Sequence, residues 1–325
     1  MKTTLKCTIC PKGCELTPGE IGDCRVRTNT DGIIRCITYA QPCALNIDPI
    51  EKKPLFHFLP GSPILSIATA GCNLHCKQCQ NHSISQSSEV YSASPKLMPN
   101  ELSARAKEKG APSIAYTYTE PLVSYEYTYD CCKAAAQAGI KNVLVTAAYI
   151  NPDPLRALCR YVDAANVDLK SFSEDFYRNI CGAHLQPVLN ALKVMKASGV
   201  FLEITNIIIP TLNDSLEKTE QLCDWIVENL GDETPVHFSR FFPQNQLKHL
   251  PPTPSETLLF ARETALKVGL KFIYIGNIEN REGENTRCPM CLKLLIERKG
   301  YRVIKNCIEQ GKCPGCATPI PGIWK

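Results

Sequence analysis

The sequence predicts an α/β protein whose main domain is a partial barrel of parallel strands. Between residues 64 and 278, short apolar runs alternate with helical patterns. Most of the runs are apolar nearly throughout, as parallel strands buried on both faces must be. Six or seven strand–helix units fit into about 215 residues, whereas a complete eight-unit barrel usually needs roughly 250. We therefore expect a partial (β/α)6-type barrel.

Seven apolar runs are the predicted strands: ILSIATA (64–70), SIAYTYT (113–119), NVLVTAA (142–148), AANVDLK (164–170), FLEITNIII (201–209), VHFSRFF (236–242) and KFIYIGNI (271–278). Helices fit between them. Asp214 followed by Glu217 resembles a capping box, and the apolar stripe after it ends at Gly231. Pro254 marks the first turn of another helix, which is expected to end at Gly269.

Cysteine usage indicates bound metal rather than disulfides. The chain has nineteen cysteines, and its first residues, MKTTLKCTICPK, contain no apolar run typical of a signal peptide. The sequence also contains no stretch of about 18 apolar residues that could cross a bilayer. We therefore predict a cytoplasmic protein that does not associate with membranes and keeps its thiols reduced. Eleven cysteines fall into three groups, and the other eight are predicted to be small buried apolar residues.

Two of these groups lie outside the strand–helix alternation. The flanking segments are short, rich in cysteine and punctuated by glycine and proline, so each buries too little apolar surface to fold alone. A bound metal would supply the missing stability. We predict an N-terminal four-cysteine metal-binding segment at 1–60, the barrel at 61–285 and a C-terminal metal knuckle at 286–325.

The third group follows the first predicted strand. In TAGCNLHCKQCQN, the thiolates of Cys72, Cys76 and Cys79 can ligate three irons of a 4Fe–4S cluster and leave the fourth iron open. The amino and carboxylate groups of S-adenosylmethionine can chelate that iron. One electron would then cleave the cofactor to methionine and a 5′-deoxyadenosyl radical, which abstracts hydrogen from a substrate. A three-cysteine fragment of a zinc site is the alternative. The position favours catalysis, because active sites of barrels form on loops at the carboxyl ends of strands.

The spacing Cys-x3-Cys-x2-Cys resembles the signature of the radical S-adenosylmethionine superfamily, and the order of motifs is similar to the branch of pyruvate formate-lyase activating enzyme. More narrowly, four stretches resemble the radical enzyme of the AmmeMemoRadiSam system: DPIEKKPLFHFLPGS (48–62), CNLHCKQCQNHSISQ (72–86), HFSRFFP (237–243) and the closing RCPMC…CPGC…PGIW. One departure is Gln78, where an aromatic residue commonly precedes the third cysteine. The resemblance implies a partial barrel of the radical S-adenosylmethionine type.

The resemblance also implies six residues that contact the cofactor. Glu120 in TYTEP takes the place of an acidic residue that binds the cofactor's ammonium group, and an anionic acceptor suits that role. The Asp168 and Lys170 pair would meet the ribose hydroxyls and the carboxylate. The alternatives are a strand-end surface glutamate, a mutual salt bridge between Asp168 and Lys170, and a buried structural histidine. The six residues are Asn81, Thr119, Glu120, Asp168, Lys170 and His237.

The flanking groups predict two further metal sites. The C-terminal knuckle has a spacing close to that of zinc ribbons, so zinc is the leading interpretation and rubredoxin-like iron the alternative. The N-terminal group is less standard and could hold zinc or an auxiliary 4Fe–4S cluster. The C-terminal ligands are Cys288, Cys291, Cys313 and Cys316. The N-terminal ligands are Cys7, Cys10, Cys14 and Cys24.

Three functions compete. The first is a radical enzyme that acts on an unidentified substrate, receives electrons from a flavodoxin- or ferredoxin-type reductant and works beside AMMECR-like and Memo-like proteins. The second is an activating enzyme that makes a glycyl radical on a partner protein. The third is a non-enzymatic metal-stabilised protein that binds nucleic acid or carries electrons. Its support is weak: residues 281–325 hold nine Lys and Arg against four Glu.

Overall fold

The computed structural model describes residues 3–86, 95–278 and 281–325. Its centre is an eight-stranded sheet whose strands follow one another in sequence order. The N-terminal strands are β1 (Leu5–Lys6), β2 (Glu15–Leu16), β3 (Arg27–Thr30), β4 (Ile33–Cys36) and β5 (Pro42–Pro49). The strands that follow in the sheet are β6 (Pro63–Thr69), β7 (Ser113–Tyr116), β8 (Lys141–Thr146), β9 (Ala164–Asp168), β10 (Phe201–Ile208), β11 (Val236–Arg240) and β12 (Ile273–Gly276).

Strands β6 to β12 are the seven predicted strands, and each pairs in parallel with the next. The sheet of the described residues ends at β5 on one side and at β12 on the other, so the prediction of a partial barrel is confirmed. Nearly every residue of β7, β8 and β9 is buried. Burial on both faces explains why these segments are apolar throughout.

Helices follow the strands and cover the outer face of the sheet. They are α1 (His82–Ser85), α2 (Pro99–Glu108), α3 (Tyr125–Gln137), α4 (Pro152–Cys159), α5 (Glu174–Phe176), α6 (Leu185–Ala197), α7 (Leu216–Leu230), α8 (Ser255–Val268) and α9 (Arg281–Glu284). The predicted ends of α7 and α8 are confirmed, with C-caps at Gly231 and Gly269. The predicted capping box of α7 is wrong, because the N-cap is Ser215 and it makes no side-chain capping bond. No described helix is long and apolar enough to cross a membrane.

The N-terminal part of the chain contributes to the sheet and to the inside of the barrel. Strand β5 pairs antiparallel with β6 at the sheet edge. The residues after β5 turn inward, and Ile50, Leu55 and Phe58 pack against the first residues of the parallel strands in one buried cluster. Segment 50–58 therefore fills the amino end of the barrel, which leaves the carboxyl end for the loops that follow the strands.

The C-terminal part forms a three-stranded antiparallel sheet of β13 (Thr286–Arg287), β14 (Leu294–Lys299) and β15 (Arg302–Asn306). Its core joins that of the barrel through Phe56 and Tyr274, which pack with Leu295 and Ile320. His57 connects the same two parts, since its Nδ1 lies 2.6 Å from the carbonyl oxygen of Pro321. The tail is thus fixed against the segment that fills the barrel.

Candidate metal and cofactor site

All nine residues predicted for the cluster and cofactor line one cavity of about 1260 Å³. They come from the loop after β6, the end of β7, the end of β9 and strand β11. Carboxyl ends of neighbouring parallel strands meet at one edge of a sheet, which is why residues so distant in sequence converge. The nine are Cys72, Cys76, Cys79, Asn81, Thr119, Glu120, Asp168, Lys170 and His237.

The loop after β6 presents three thiols to this cavity. Gly71 makes the loop possible, because its φ is +102° and an added Cβ would lie 2.4 Å from Cγ1 of Val26. Of the described cysteines, only Cys72, Cys76 and Cys79 line the cavity. Three thiolates and no fourth are the donor set that a 4Fe–4S cluster with one open iron requires, so the residues present fit that group.

A fourth cysteine supports the loop from behind. The backbone N–H of His75 donates to the carbonyl oxygen of Cys181 at 2.8 Å. The Cys181 thiol lowers the pKa of Cys76, and the Lys170 ammonium acts in the same direction against the effect of burial. Cys181 was predicted to be an inert buried residue, and nothing in its local sequence distinguishes it. Its contact with the cluster loop exists only in the folded chain.

The end of β7 is strained where it meets the cavity. Tyr118 has a φ of +67°, which is uncommon for a residue other than glycine. Two predicted cofactor residues hold this turn: Asn81 Nδ2 donates to the Tyr118 carbonyl oxygen at 2.8 Å, and Thr119 Oγ1 donates to the Thr69 carbonyl oxygen at 2.6 Å. Backbone strain of this kind is commonly stored at functional sites. The turn directs Glu120 toward the cavity.

Glu120 is 2% exposed and accepts three hydrogen bonds. The donors are Leu122 N at 3.2 Å, Thr146 Oγ1 at 2.6 Å and Ala147 N at 2.8 Å. Burial raises the pKa of Glu120, and these donors act against that shift. The alternative of a surface glutamate is therefore wrong. The carboxylate joins the ends of β7 and β8 while it lines the cavity.

Asp168 and Lys170 form the mutual salt bridge considered above. Lys170 Nζ lies 2.7 Å from Asp168 Oδ2. Burial alone would lower the pKa of Lys170, but Asp168 and the Cys76 thiolate raise it overall. The ammonium therefore stays charged beside the cluster loop. It offers a positive charge next to three thiols that become anionic when they bind metal.

His237 occupies the barrel interior rather than its rim. Its register partner on β10 is Thr205, which in turn is paired with Asp168 on β9. His237 is 3% exposed, and its Nε2 lies 2.7 Å from Oε2 of Glu203, which is fully buried. Glu203 also accepts hydrogen bonds from the backbone N–H groups of Phe56 and His57. His237 thus has a structural partner although it also lines the cavity.

The C-terminal knuckle brings four sulfurs together. Among the residues that the structure describes, one group of three or more His, Cys, Asp and Glu side chains has its ligand atoms all within 4.8 Å of one another. Opposite sulfurs lie 3.5 and 3.6 Å apart. A tetrahedral zinc ion with Zn–S bonds of about 2.3 Å places its sulfurs roughly 3.8 Å apart. The group is Cys288, Cys291, Cys313 and Cys316.

The two halves of the knuckle repeat one local geometry. In each half the first cysteine is buried and the second is exposed. The residue after the second cysteine has a positive φ, +61° at Leu292 and +59° at Ala317. The Thr318 hydroxyl lowers the pKa of Cys316 to about 6. A paired arrangement of this kind suits a single ion held between two turns.

The N-terminal group also converges, but differently. Its four cysteines line one small pocket that is separate from the large cavity. Within the described part of the chain, the knuckle is the group whose ligand atoms all lie within 4.8 Å of one another. The sulfurs of the N-terminal cysteines do not meet this condition. Cys7, Cys10, Cys14 and Cys24 will be called the N-terminal pocket.

Comparisons with known proteins agree with this geometry. A family model described as the Radical SAM superfamily matches residues 66–226. A protein of Methanocaldococcus jannaschii that is itself uncharacterized is 44% identical over 318 residues, which cover 97% of this chain and 95% of that protein. The pyruvate formate-lyase-activating enzyme of Clostridium pasteurianum is 25% identical over 166 residues, which cover 49% of this chain and 67% of the enzyme.

Solved structures also resemble the fold. A radical SAM methyltransferase from Sphaerobacter thermophilus superimposes with a TM-score of 0.53 and 16% identity, over 70% of this chain and 69% of that one. At this identity the likeness concerns the fold alone. It supports the partial barrel and says nothing about the substrate.

Proposed function

This chain belongs to the radical S-adenosylmethionine superfamily, and we propose that it is an enzyme that cleaves S-adenosylmethionine reductively and uses the product radical to take hydrogen from a substrate. The observation that carries the proposal is the single cavity onto which three thiols, a buried carboxylate and a buried ion pair all open. A zinc fragment would not need the carboxylate or the ion pair.

Cys72, Cys76 and Cys79 would hold a 4Fe–4S cluster in this cavity. When bound, the cluster and the cofactor supply methionine and a 5′-deoxyadenosyl radical after one electron arrives from an external reductant of flavodoxin or ferredoxin type. Lys170, charged and buried beside Cys76, would offset the negative charge of the thiolates. Segment 50–58, packed into the amino end of the barrel, would help keep water from the reacting centre.

Glu120, Asp168 and Lys170 would bind the cofactor. The Glu120 carboxylate lines the cavity and has lone pairs beyond the three bonds it accepts, so it can also receive a hydrogen bond from an ammonium group. Asp168 and Lys170 would exchange part of their mutual contact for the ribose hydroxyls and the cofactor's carboxylate. Asn81 and Thr119 would act mainly through the strained turn at Tyr118 that they hold.

The C-terminal knuckle would bind one structural zinc ion. The sulfur distances of 3.5 and 3.6 Å support this assignment. The knuckle cysteines do not line the cavity, although the hairpin turn that includes Lys299 and Tyr301 does. Zinc would therefore fix one wall of the cavity without taking part in the chemistry.

Membership of the AmmeMemoRadiSam system is the finer proposal. It is supported by the resemblance of 48–62 and of the tail, and these two stretches pack together: His57 contacts Pro321, and Leu59 N donates to the Ile323 carbonyl oxygen at 2.7 Å. AMMECR-like and Memo-like proteins would be its partners. Co-purification of the three proteins, with this chain carrying the tag, tests the proposal. Absence of either protein from the complex under anaerobic conditions would argue against it.

A second candidate, an activating enzyme for a glycyl-radical protein, is favoured by the likeness to the enzyme of Clostridium pasteurianum. The two candidates share the cofactor chemistry and differ in the hydrogen donor. Deuterium transferred to 5′-deoxyadenosine from a labelled glycine in a partner protein would select the second. Transfer from another labelled compound would select the first.

The direct test compares the wild-type protein with the variant that carries Cys72→Ala, Cys76→Ala and Cys79→Ala. With dithionite and S-adenosylmethionine, we expect the anaerobic wild-type protein to release 5′-deoxyadenosine slowly even without substrate. The variant should release none and should lose the paramagnetic resonance signal that changes when the cofactor is added. Cleavage of the cofactor by the variant would overturn the proposal.

The role of Glu120 is tested by Glu120→Gln. The change removes the negative charge that would face the cofactor's ammonium, and a charge-assisted hydrogen bond is worth roughly 1.5–3 kcal/mol, so cofactor affinity should fall about ten- to a hundredfold. Iron content should not change. Thr146→Val is the matched control, because it removes one bond to Glu120 but keeps the charge. Equal losses of affinity in both variants would mean that Glu120 acts only by holding the strand ends together.

A further inference from the structure

We propose that the N-terminal pocket holds a second iron–sulfur cluster rather than a zinc ion. The proposal concerns cysteines that the radical site does not use, so it stands independently of the function proposed above. It rests on the spacing of the thiols, on an unsatisfied donor in the pocket wall and on the position of the pocket beside the cluster loop.

The spacing of the thiols separates the N-terminal pocket from the knuckle. Both sets contain four cysteines that the fold brings together. The four knuckle sulfurs all lie within 4.8 Å of one another, whereas the N-terminal cysteines line a small pocket and, among the described residues, are not part of such a close group. A cluster places several irons and sulfides between its thiolates and so needs them farther apart than a single ion does.

The wall of the pocket provides a buried donor that lacks an acceptor. Arg27 lines the pocket and is 5% exposed. Its two terminal nitrogens donate to Glu126 at 2.8 and 2.6 Å, but its Nε has no hydrogen-bond partner. A buried N–H without an acceptor is costly, and cluster sulfur or a ligating thiolate would accept this bond. Lys12 also lines the pocket, and its Nζ is held by the Gly182 carbonyl oxygen at 2.7 Å and by Asp23 at 3.0 Å.

The pocket lies directly against the loop of the radical site. Gly71, which precedes Cys72, lies so close to Val26 of the N-terminal segment that an added Cβ would be 2.4 Å from Cγ1 of Val26. A Cβ atom added at Gly71 would lie 2.9 Å from the carbonyl oxygen of Cys24, so the backbones of these two segments are in close contact. His75, between Cys72 and Cys76, has its Nε2 2.9 Å from Asp23 of the N-terminal segment. A cluster in the pocket would therefore lie next to the loop that carries Cys72, Cys76 and Cys79, a position suited to exchanging electrons with that site.

The test measures metal in a protein that lacks the radical cluster. After anaerobic reconstitution, the Cys72→Ala, Cys76→Ala, Cys79→Ala variant should retain at least about two irons and a matching amount of acid-labile sulfide per chain, with a Mössbauer spectrum of a cluster. Adding Cys10→Ala should remove this iron and leave the zinc content unchanged. Cys43→Ala, a cysteine of the same segment outside the pocket, should have no effect on iron.

The outcomes are distinct. Zinc that is lost together with Cys10, or the absence of any metal that depends on Cys10, overturns the proposal. Where Cys10→Ala does not fold, as judged by circular dichroism, Cys14→Ser in the same background provides the comparison, because serine keeps a side chain of similar size at a partly buried position. Failure of the radical site alone would appear as a wild-type protein with the same iron content as the triple variant, and it would leave this assignment intact.

Discussion

The N-terminal pocket and the C-terminal knuckle contain the same four ligands in opposite settings. The knuckle is fixed to the segment that fills the amino end of the barrel, because Phe56 packs in one buried cluster with Cys288 and Cys313. The contact of His57 with the Pro321 carbonyl oxygen adds to this. The N-terminal pocket is fixed to the loop at the carboxyl end, partly through the ion pairs of Asp23 with Lys12 and His75, which are half-exposed. The knuckle is thus joined to the amino end of the barrel, and the N-terminal pocket is joined to its carboxyl end.

This difference shows that the number of cysteines does not determine what a site does. In the knuckle, four close sulfurs and a shared apolar core are typical of a structural ion whose binding energy contributes to folding. In the N-terminal pocket, wider spacing and contact with the radical loop favour a redox group. The predictions below test whether the two sites differ in this way.

The largest effect is expected in the knuckle. Cys313→Ala should remove one zinc ion and lower the free energy of unfolding by several kcal/mol, because metal binding in such sites is coupled to folding. Cys313 belongs to the buried core that contains Phe56 and Tyr274, so the loss should extend to the barrel. Zinc analysis and anaerobic denaturation measure it. The folded fraction should still cleave S-adenosylmethionine; loss of cleavage in folded, iron-replete protein would place the knuckle in the active site.

An intermediate effect is expected at the contact that fixes the tail. Burial lowers the pKa of His57 to about 4, and its two ring nitrogens are paired with Pro321 and Tyr274. Between about pH 6.5 and 4 the unfolded chain binds a proton at this position and the folded chain does not, so stability should fall by about 3 kcal/mol as the pH is lowered through this range.

Denaturation at a series of pH values tests this in the wild-type protein and in His57→Asn. The variant should be less stable at pH 7 but should lose most of the dependence between pH 6.5 and 4. His249→Asn, at an exposed position, controls for the removal of a histidine. An unchanged pH dependence in His57→Asn would mean that the tail is fixed by other groups.

The barrel could be predicted from sequence because its signal is local. Seven apolar runs correspond to seven buried parallel strands, since a strand buried on both faces must be apolar along its whole length. Strand β5 gave no such signal. Its residues, PCALNIDP, are mostly half-buried or exposed and carry proline at both ends, as an edge strand permits. The residues of the large cavity were predictable because they follow predicted strands directly.

Residues whose role depends on a distant partner were not predictable in this way. Glu203 lies within a predicted apolar strand. A charged residue in a buried strand needs a partner, but the sequence does not show which residue that is. For that partner, His237, the sequence predicted contact with the cofactor, with a buried structural histidine as the alternative, and no spacing rule linked it to Glu203. Cys181 supports Cys76 from another loop, and no spacing rule connects the two. The choice between zinc and a cluster likewise depends on distances between sulfurs, which sequence spacing does not contain.

The smallest effect is expected at the ion pairs of the N-terminal pocket. Asp23 lies 3.0 Å from Lys12 Nζ and 2.9 Å from His75 Nε2. The hydrogen bond from His75 lowers the pKa of Asp23 to about 2, so the carboxylate is charged at neutral pH. The group is partly exposed and screened by solvent, and such pairs are worth roughly 0–1 kcal/mol.

Asp23→Asn should therefore lower the free energy of unfolding by less than about 1 kcal/mol, and by less still at 1 M salt, where the screening length is about 3 Å. Iron content should stay constant, because the close approach of Gly71 to Val26 and to the Cys24 carbonyl oxygen remains. Denaturation at low and high salt, with iron measured in parallel, decides it. A loss of several kcal/mol that does not depend on salt, or a loss of iron, would show that the N-terminal pocket is fixed as rigidly as the knuckle and that the contrast between the two sites does not hold.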